Sequence, residues 1–228
     1  MKTKLLTILC VGLVASCANK KSTNSVESKT ELPYYQEATF TPKWIAEDSP
    51  ELEKFHKIPS FSLINQLGEI VTEKSLEGKI YVTDFFFTSC PGICPKMTTN
   101  MKLVQEAFLE DDNVMLLSHS VTPVMDSVSV LKSYADRNDI DAKKWQLLTG
   151  DRQVIYDLGR KSYFVEEDQG LEKTEDEFLH TENFVLIDQN RHIRGIYNGL
   201  NKVSVAQLIA DIKTLKESLA TEKSEQPF

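Results

Sequence analysis

The chain has 228 residues, 41% of them hydrophobic, which suits one domain with a packed core and polar ends. Its 26 Lys and Arg against 34 Asp and Glu give a formal charge of -8, so it offers no basic surface for a phosphate backbone and nucleic-acid binding is not expected. The acidic balance supports solubility and attracts cations weakly, but it defines no site.

Lys2 and Lys4 precede an apolar run from Leu5 to Ala15, the charged and hydrophobic regions of an export signal. That run is too short to span a bilayer. It ends in Val14-Ala15-Ser16-Cys17, which resembles a bacterial lipobox. Cleavage after Ser16 would make Cys17 a lipidated first residue, anchored outside the cytoplasm, on the periplasmic side of a bacterial membrane. An ordinary signal peptide with an incidental cysteine is the alternative. The expected organisation is a signal peptide over 1–16, a tether and extension over 17–57, a domain over 58–218 and a polar tail over 219–228. Residues 18–32 are polar; residues 33–57 carry Pro33, Tyr34, Tyr35, Phe40 and Trp44 and are expected to pack on the domain.

Beyond the extension the pattern alternates between α and β. Phe61–Ile64 and Glu69–Thr72 flank Asn65-Gln66-Leu67-Gly68, a hairpin signal. Lys79–Phe87 is a β-branched and aromatic run, as in a strand buried on both faces. A helix is predicted from Pro95 to about Leu109, a second buried strand over Asn113–Val121, and a helix over Ser127–Asn138. Trp145–Leu148 reads as a short strand and Asp151–Lys161 as a helix capped by Asp151. Asn183–Asp188 and His192–Tyr197 read as a hairpin around Gln189-Asn190, and Val203–Leu219 as an amphipathic closing helix. This order is that of an α/β, thioredoxin-like fold: a central mixed sheet flanked by helices, with an added N-terminal β-hairpin.

Of four cysteines, Cys10 leaves with the signal peptide and Cys17 carries lipid, so Cys90 and Cys94 remain as thiols. A loop this short adds little as a staple, so two lone, neighbouring cysteines in an exported chain point to chemistry. Both sit where a buried strand hands over to a helix N-terminus, whose free N–H groups favour thiolate. Paired thiolates suit a soft cation such as Cu(I), and imidazole is a good third copper ligand. Among the four histidines, His56 reads as a surface residue, His192 as solvent-facing on the last hairpin, and His119 as a satisfied, partly buried strand residue. His180 precedes the strand Asn183–Asp188, whose entry lies beside the cysteine loop in a thioredoxin fold. It is the ligand candidate, with a plain loop histidine as the alternative.

The segment Phe85-Phe-Phe-Thr-Ser-Cys90-Pro-Gly-Ile-Cys94-Pro95, with His180 and Phe184-Val-Leu-Ile-Asp188 far downstream, resembles the Sco/SenC family of copper proteins. The resemblance runs from about Ile58 to Leu215. It implies copper bound by Cys90, Cys94 and His180. It also implies a metallochaperone role in assembling the copper site of cytochrome c oxidase, with the copper-site subunit of a respiratory oxidase as partner. Some members of that family are thought to reduce thiols at that site. Two departures stand out: Thr122-Pro123-Val124 replaces the usual Asp-Pro-Glu, and Leu179 replaces the usual Asp before the histidine.

The rival reading is an extracytoplasmic thiol-disulfide oxidoreductase, with Cys90 and Cys94 as a redox-active disulfide pair. Against it stand the three-residue spacing and the lack of a proline before Asn183. A peroxidase leaves the cysteine pair and His180 unexplained, and structural zinc usually wants four ligands. A purely structural disulfide is disfavoured by the thiolate-favouring position.

The lipobox leads to a first prediction. Intact-mass analysis of membrane-extracted protein should find a chain beginning at acylated Cys17, and Cys17→Ser should leave a soluble or unprocessed product. Unmodified Cys17 with Met1 attached would contradict it.

Overall fold

The run Ile80–Phe86 (β3) is buried at every position, which is why its sequence is continuously apolar instead of alternating. Its neighbours in the sheet are β4 (Val114–Ser120), parallel, and β6 (Asn183–Ile187), antiparallel. The computed structural model describes residues 31–166, 179 and 181–225, the last seven as backbone alone. The expected lipobox and His180 lie outside these described residues.

Outward from this centre, β5 (Trp145–Thr149) runs parallel to β4, and the N-terminal hairpin of β1 (Ser62–Asn65) and β2 (Ile70–Thr72) joins β5 antiparallel. On the other side β7 (Ile193–Asn198) pairs antiparallel with β6. The seven strands are therefore ordered β2-β1-β5-β4-β3-β6-β7. This mixed sheet confirms the expected α/β architecture and its added hairpin.

One face is covered by α1 (Cys94–Ala107), α2 (Val128–Arg137) and α4 (Lys202–Glu225), which bury Met97, Met101, Leu131, Val205, Leu208 and Ile212 against Ile80, Val82 and Phe86. The other face packs Tyr81, Phe85 and Leu117 against Ile155, Tyr163, Phe164 and Leu179. Its covering segment is α3 (Arg152–Asp157), capped as expected by Asp151 accepting from the Val154 N–H, and a π-helical turn at Leu158–Ser162.

The N-terminal extension packs on the domain, as its aromatics suggest. Arg194 donates to the Leu32 carbonyl at 2.7 Å and the Pro33 carbonyl at 3.2 Å, pairs with Asp188 at 3.1 Å, and lies over the Tyr34 ring. Tyr35 N–H and Ile58 N–H bond to the carbonyls of Ile193 and Arg191, covering the β7 edge that would otherwise present free backbone groups. Trp44, expected to pack, is exposed instead.

Three sequence expectations need correction. His192 is buried, not solvent-facing, because the extension closes over it: its Nδ1 meets the His56 carbonyl at 3.0 Å and its ring packs edge-on to Tyr34 and Phe55. His56 is half-buried, with Nε2 donating to the Ser162 carbonyl at 2.7 Å. The closing helix expected over Val203–Leu219 runs instead from Lys202 to Glu225, since the Ala, Glu and Lys residues beyond Leu219 are good helix formers. Among the described residues no helix is long and apolar enough to cross a membrane.

His119, on β4, is fully buried and stacked on Phe85. Its Nδ1 meets Thr83 Oγ1 at 3.0 Å, but Nε2 has no partner, so it is only half satisfied. Burial lowers its pKa to about 4. An unfolded histidine titrates near 6.5, so between pH 6.5 and 4 the unfolded state binds a proton that the folded state refuses. Stability is then lost as the pH falls through that window, by on the order of 3 kcal/mol at its lower end. Chemical denaturation of His119→Phe and the parent at pH 7 and pH 4 should show the variant's relative stability rising by about that amount on acidification. A pH-independent difference would refute it.

Candidate metal centre

β3 ends at Phe86, and α1 begins at Cys94 with Pro95 in its first turn, where a missing N–H costs nothing. The intervening loop carries Cys90, half-buried, and leads to Cys94, buried; both are free thiols. Strand and helix are each fixed in the core, so the loop has little freedom to separate the sulfurs.

The two thiols are electrostatically unequal. Partial burial raises the pKa of Cys90. The hydrogen bond from the Cys94 thiol and the N–H groups of Cys94, Gly92 and Ile93 outweigh that and hold it below its ordinary value. Burial pushes the Cys94 thiol up, its bond to Cys90 and the nearby charges of Cys90 and Asp84 add to this, and a bond to the Phe87 backbone only partly opposes it. Cys90 is therefore the accessible, thiolate-prone sulfur and Cys94 the sheltered one.

Asp84 was not anticipated from the sequence. It alternates with Val82 and Phe86 on the α1 face of β3 and is fully buried, accepting a hydrogen bond from Ser118 Oγ. Burial raises its carboxyl to about 7, with the Ser118 hydroxyl opposing. Ser118 Oγ in turn accepts from Trp145 Nε1 at 2.8 Å.

Asp126 was also missed. Its carboxylate takes hydrogen bonds from the Thr88 hydroxyl (2.5 Å) and N–H (3.2 Å), Ser120 Oγ (2.6 Å) and Thr122 Oγ1 (3.1 Å). One buried acid thus fastens the loop after β4 to the loop carrying Cys90. Losing it would leave the buried Ser120 hydroxyl without this acceptor, at about 1–3 kcal/mol, and would free the half-buried donors of Thr88 and Thr122.

Beside the thiols lies a groove of about 320 Å³, lined by Phe85, Phe86, Val121 and Leu179 together with both cysteines and Thr181. Leu179 and Thr181 are the chain neighbours of position 180. His119 belongs to the aromatic cluster of Phe61, Phe85 and Tyr163, while His56 lies in the N-terminal extension and His192 is packed beneath it. Among the described residues, no three His, Cys, Asp or Glu side chains form a metal-binding group. The thiols themselves fit a soft ion: two sulfurs share a largely apolar groove, with one thiol already biased toward thiolate.

The SCO1/SenC family model matches residues 49–217. A SCO1/SenC family lipoprotein from Bacillus anthracis is similar at 33% identity and a TM-score of 0.61, covering 71% of this chain and 95% of that one. BsSco, a member of the Sco family of cytochrome c oxidase assembly proteins in which a disulfide switch was identified, is 30% identical with a TM-score of 0.59, covering 70% and 93%. Arabidopsis thaliana ScoI, crystallised with copper bound, is 29% identical with a TM-score of 0.55, covering 70% and 98%.

The unequal thiols give a prediction for the reduced protein. Limited alkylation near neutral pH should modify Cys90 first, with its rate rising at a pH below that of an ordinary cysteine, and Cys94 should react slowly even in Cys90→Ser. Peptide mass mapping reads this out. Faster labelling of Cys94 would contradict it.

Proposed function

This chain belongs to the SCO1/SenC family, and on that premise we propose that it is a lipid-anchored copper carrier, acting outside the cytoplasm on the copper site of a respiratory oxidase. Its ligands in this proposal are Cys90, Cys94 and His180. The observation that carries the proposal is the groove at the end of β3: both thiols line it, and so do the residues on either side of His180. Consecutive Cα atoms stand about 3.8 Å apart, so an imidazole at position 180 starts within one residue of the groove on both sides. Relatives support the cargo and the setting. One is a lipoprotein, another belongs to a family of oxidase assembly proteins, and a third binds copper. The proposed organisation keeps residues 1–16 as signal and Cys17 as anchor, with the tether reaching from there to the domain.

The chemistry rests on the thiol asymmetry. Copper bound as cargo needs both sulfurs as thiolates, so loading releases protons and strengthens as the pH rises. Cys90 gives up its proton readily, whereas Cys94 does so only against burial. Two sulfurs dominate binding of Cu(I), while the harder Cu(II) depends more on imidazole. Oxidation of the pair removes two protons and two electrons and leaves a disulfide that cannot serve as two thiolate donors. The copper-loaded and oxidised forms therefore exclude each other.

A second reading is favoured by the same asymmetry. An accessible thiolate at Cys90 and a sheltered thiol at Cys94 suit a nucleophile and a resolver. Cys90 would attack a partner disulfide and release one partner thiolate; Cys94 would then displace the other, leaving Cys90–Cys94 oxidised and the partner reduced.

His180 separates the two readings. Chelator competition on the reduced mature chain should find Cu(II) affinity reduced by about 100-fold or more in His180→Ala, since a direct ligand outweighs the ~10–100-fold typical of an outer partner. Cu(I) affinity should fall less. Exchange with a small disulfide should stay near the parent rate, and His119→Phe should leave copper binding intact. Unchanged copper affinity in His180→Ala, or no copper bound by the parent, would favour the reductase.

A further inference from the structure

The π-helical turn Leu158–Ser162 touches the chain on both sides of the segment 167–178. On the entering side, Arg160 Nε pairs with Glu166 Oε2 at 2.8 Å, with both side chains largely buried. On the leaving side, Gly159 meets Leu179 so closely that a Cβ at position 159 would stand 2.3 Å from Leu179 Cδ1. The same atom would come within 3.1 Å of the Phe85 ring. The missing side chain of Gly159 and the ring of Phe85 therefore form a socket, and the buried Leu179 side chain fills it as a peg.

The turn is itself well held. The Tyr163 N–H donates to the Leu158 carbonyl at 2.7 Å and the Val165 N–H to the Gly159 carbonyl at 3.0 Å. His56 fastens the Ser162 carbonyl from the N-terminal extension. Phe85 belongs to β3, the strand that delivers the cysteines, so the peg is referenced to the same rigid element as the thiols. Single π-helical turns of this kind recur at functional sites. Here the widened turn brings a glycine against Leu179, one residue before position 180.

We propose that Gly159 and Leu179 are positioning residues for the imidazole ligand, anchoring the chain at the residue before His180 against the strand that delivers Cys90 and Cys94. This rests on the reading of His180 as a ligand. The departure from Asp to Leu at position 179 then acquires a role: the side chain before the histidine serves as an apolar anchor, where an acid would have to be buried against Phe85. A methyl group at position 159 collides with the peg and displaces it, while the cysteine loop, fastened through Asp126 and α1, stays in place. The expected signature is a loss specific to the ion that needs imidazole.

The test uses the reduced mature chain, loaded with Cu(II) or Cu(I) and read by chelator competition and, for Cu(II), by electron paramagnetic resonance. Gly159→Ala should bind Cu(II) about 10–100-fold more weakly, the range expected for loss of support to a ligand, with altered nitrogen hyperfine coupling and near-parental Cu(I) affinity. Adding Leu179→Val, which shortens the peg, should recover most of the Cu(II) affinity. If Gly159→Ala fails to fold, Leu179→Ala removes the peg without crowding and should show the same Cu(II)-selective loss. Parental Cu(II) affinity and spectrum in a folded Gly159→Ala, or in Leu179→Ala, would overturn the inference if His180→Ala is impaired beside it. Equal losses for both ions would overturn it too, since the cysteine loop itself would then have moved. A His180→Ala chain with parental affinity would instead remove the ligand reading on which the inference rests.

Discussion

The site depends on a strand that is held from every side. β3 is buried along its whole length, hydrogen-bonded to β4 and β6, and packed by a separate apolar cluster on each face. Such a strand has one register and one orientation, because a slip of a single residue would exchange Val82 and Phe86 with Thr83 and Phe85 across the sheet. The residues immediately C-terminal to β3 are therefore delivered to a fixed place. Thr88 is caught by Asp126, Cys94 opens α1, and the sulfurs are confined to the short arc between. The positions of the two thiols come from the core, with little contribution from the loop's own sequence.

The rigid frame also sets the chemical inequality of the pair. Cys90 stands outside the core, where several N–H groups can support a negative charge. Cys94 stands inside it, beside a carboxyl that burial already keeps near 7. A copper carrier needs the pair reduced, whereas a thiol reductase cycles it between reduced and oxidised forms, and the same asymmetric pair is compatible with either. Imidazole ligation would make the distinction, and for that proposal the packing of Leu179 against Gly159 matters most.

Much of the fold was legible because local pattern and burial agree. The aromatic and β-branched run over residues 79–87 is a doubly buried strand, Asn65-Gln66-Leu67-Gly68 is a hairpin turn, and Asp151 caps its helix through its own side chain. The features that were not legible are non-local. Alternation along β7 says nothing of the extension that returns to cover His192. Asp126 reads as an ordinary residue before a helix cap, and only the fold brings Thr88, Ser120 and Thr122 around it. Asp84 sits inside an apolar run with no hint of its Ser118 partner. Gly159 looks like a weak point in a helix; its close approach to Leu179 arises from tertiary packing. The placement of Cys90 and Cys94 as neighbouring free thiols was legible because it follows from the strand-to-helix boundary.

The most direct test of the account is copper X-ray absorption on the mature chain, loaded with one equivalent of copper after reduction and compared with the same chain after oxidation. The account predicts two sulfur donors and one imidazole in the reduced form, with the sulfur signal and tight binding both lost once Cys90 and Cys94 form a disulfide. Copper held by oxygen and nitrogen donors alone, or held equally well by the disulfide form, would contradict it.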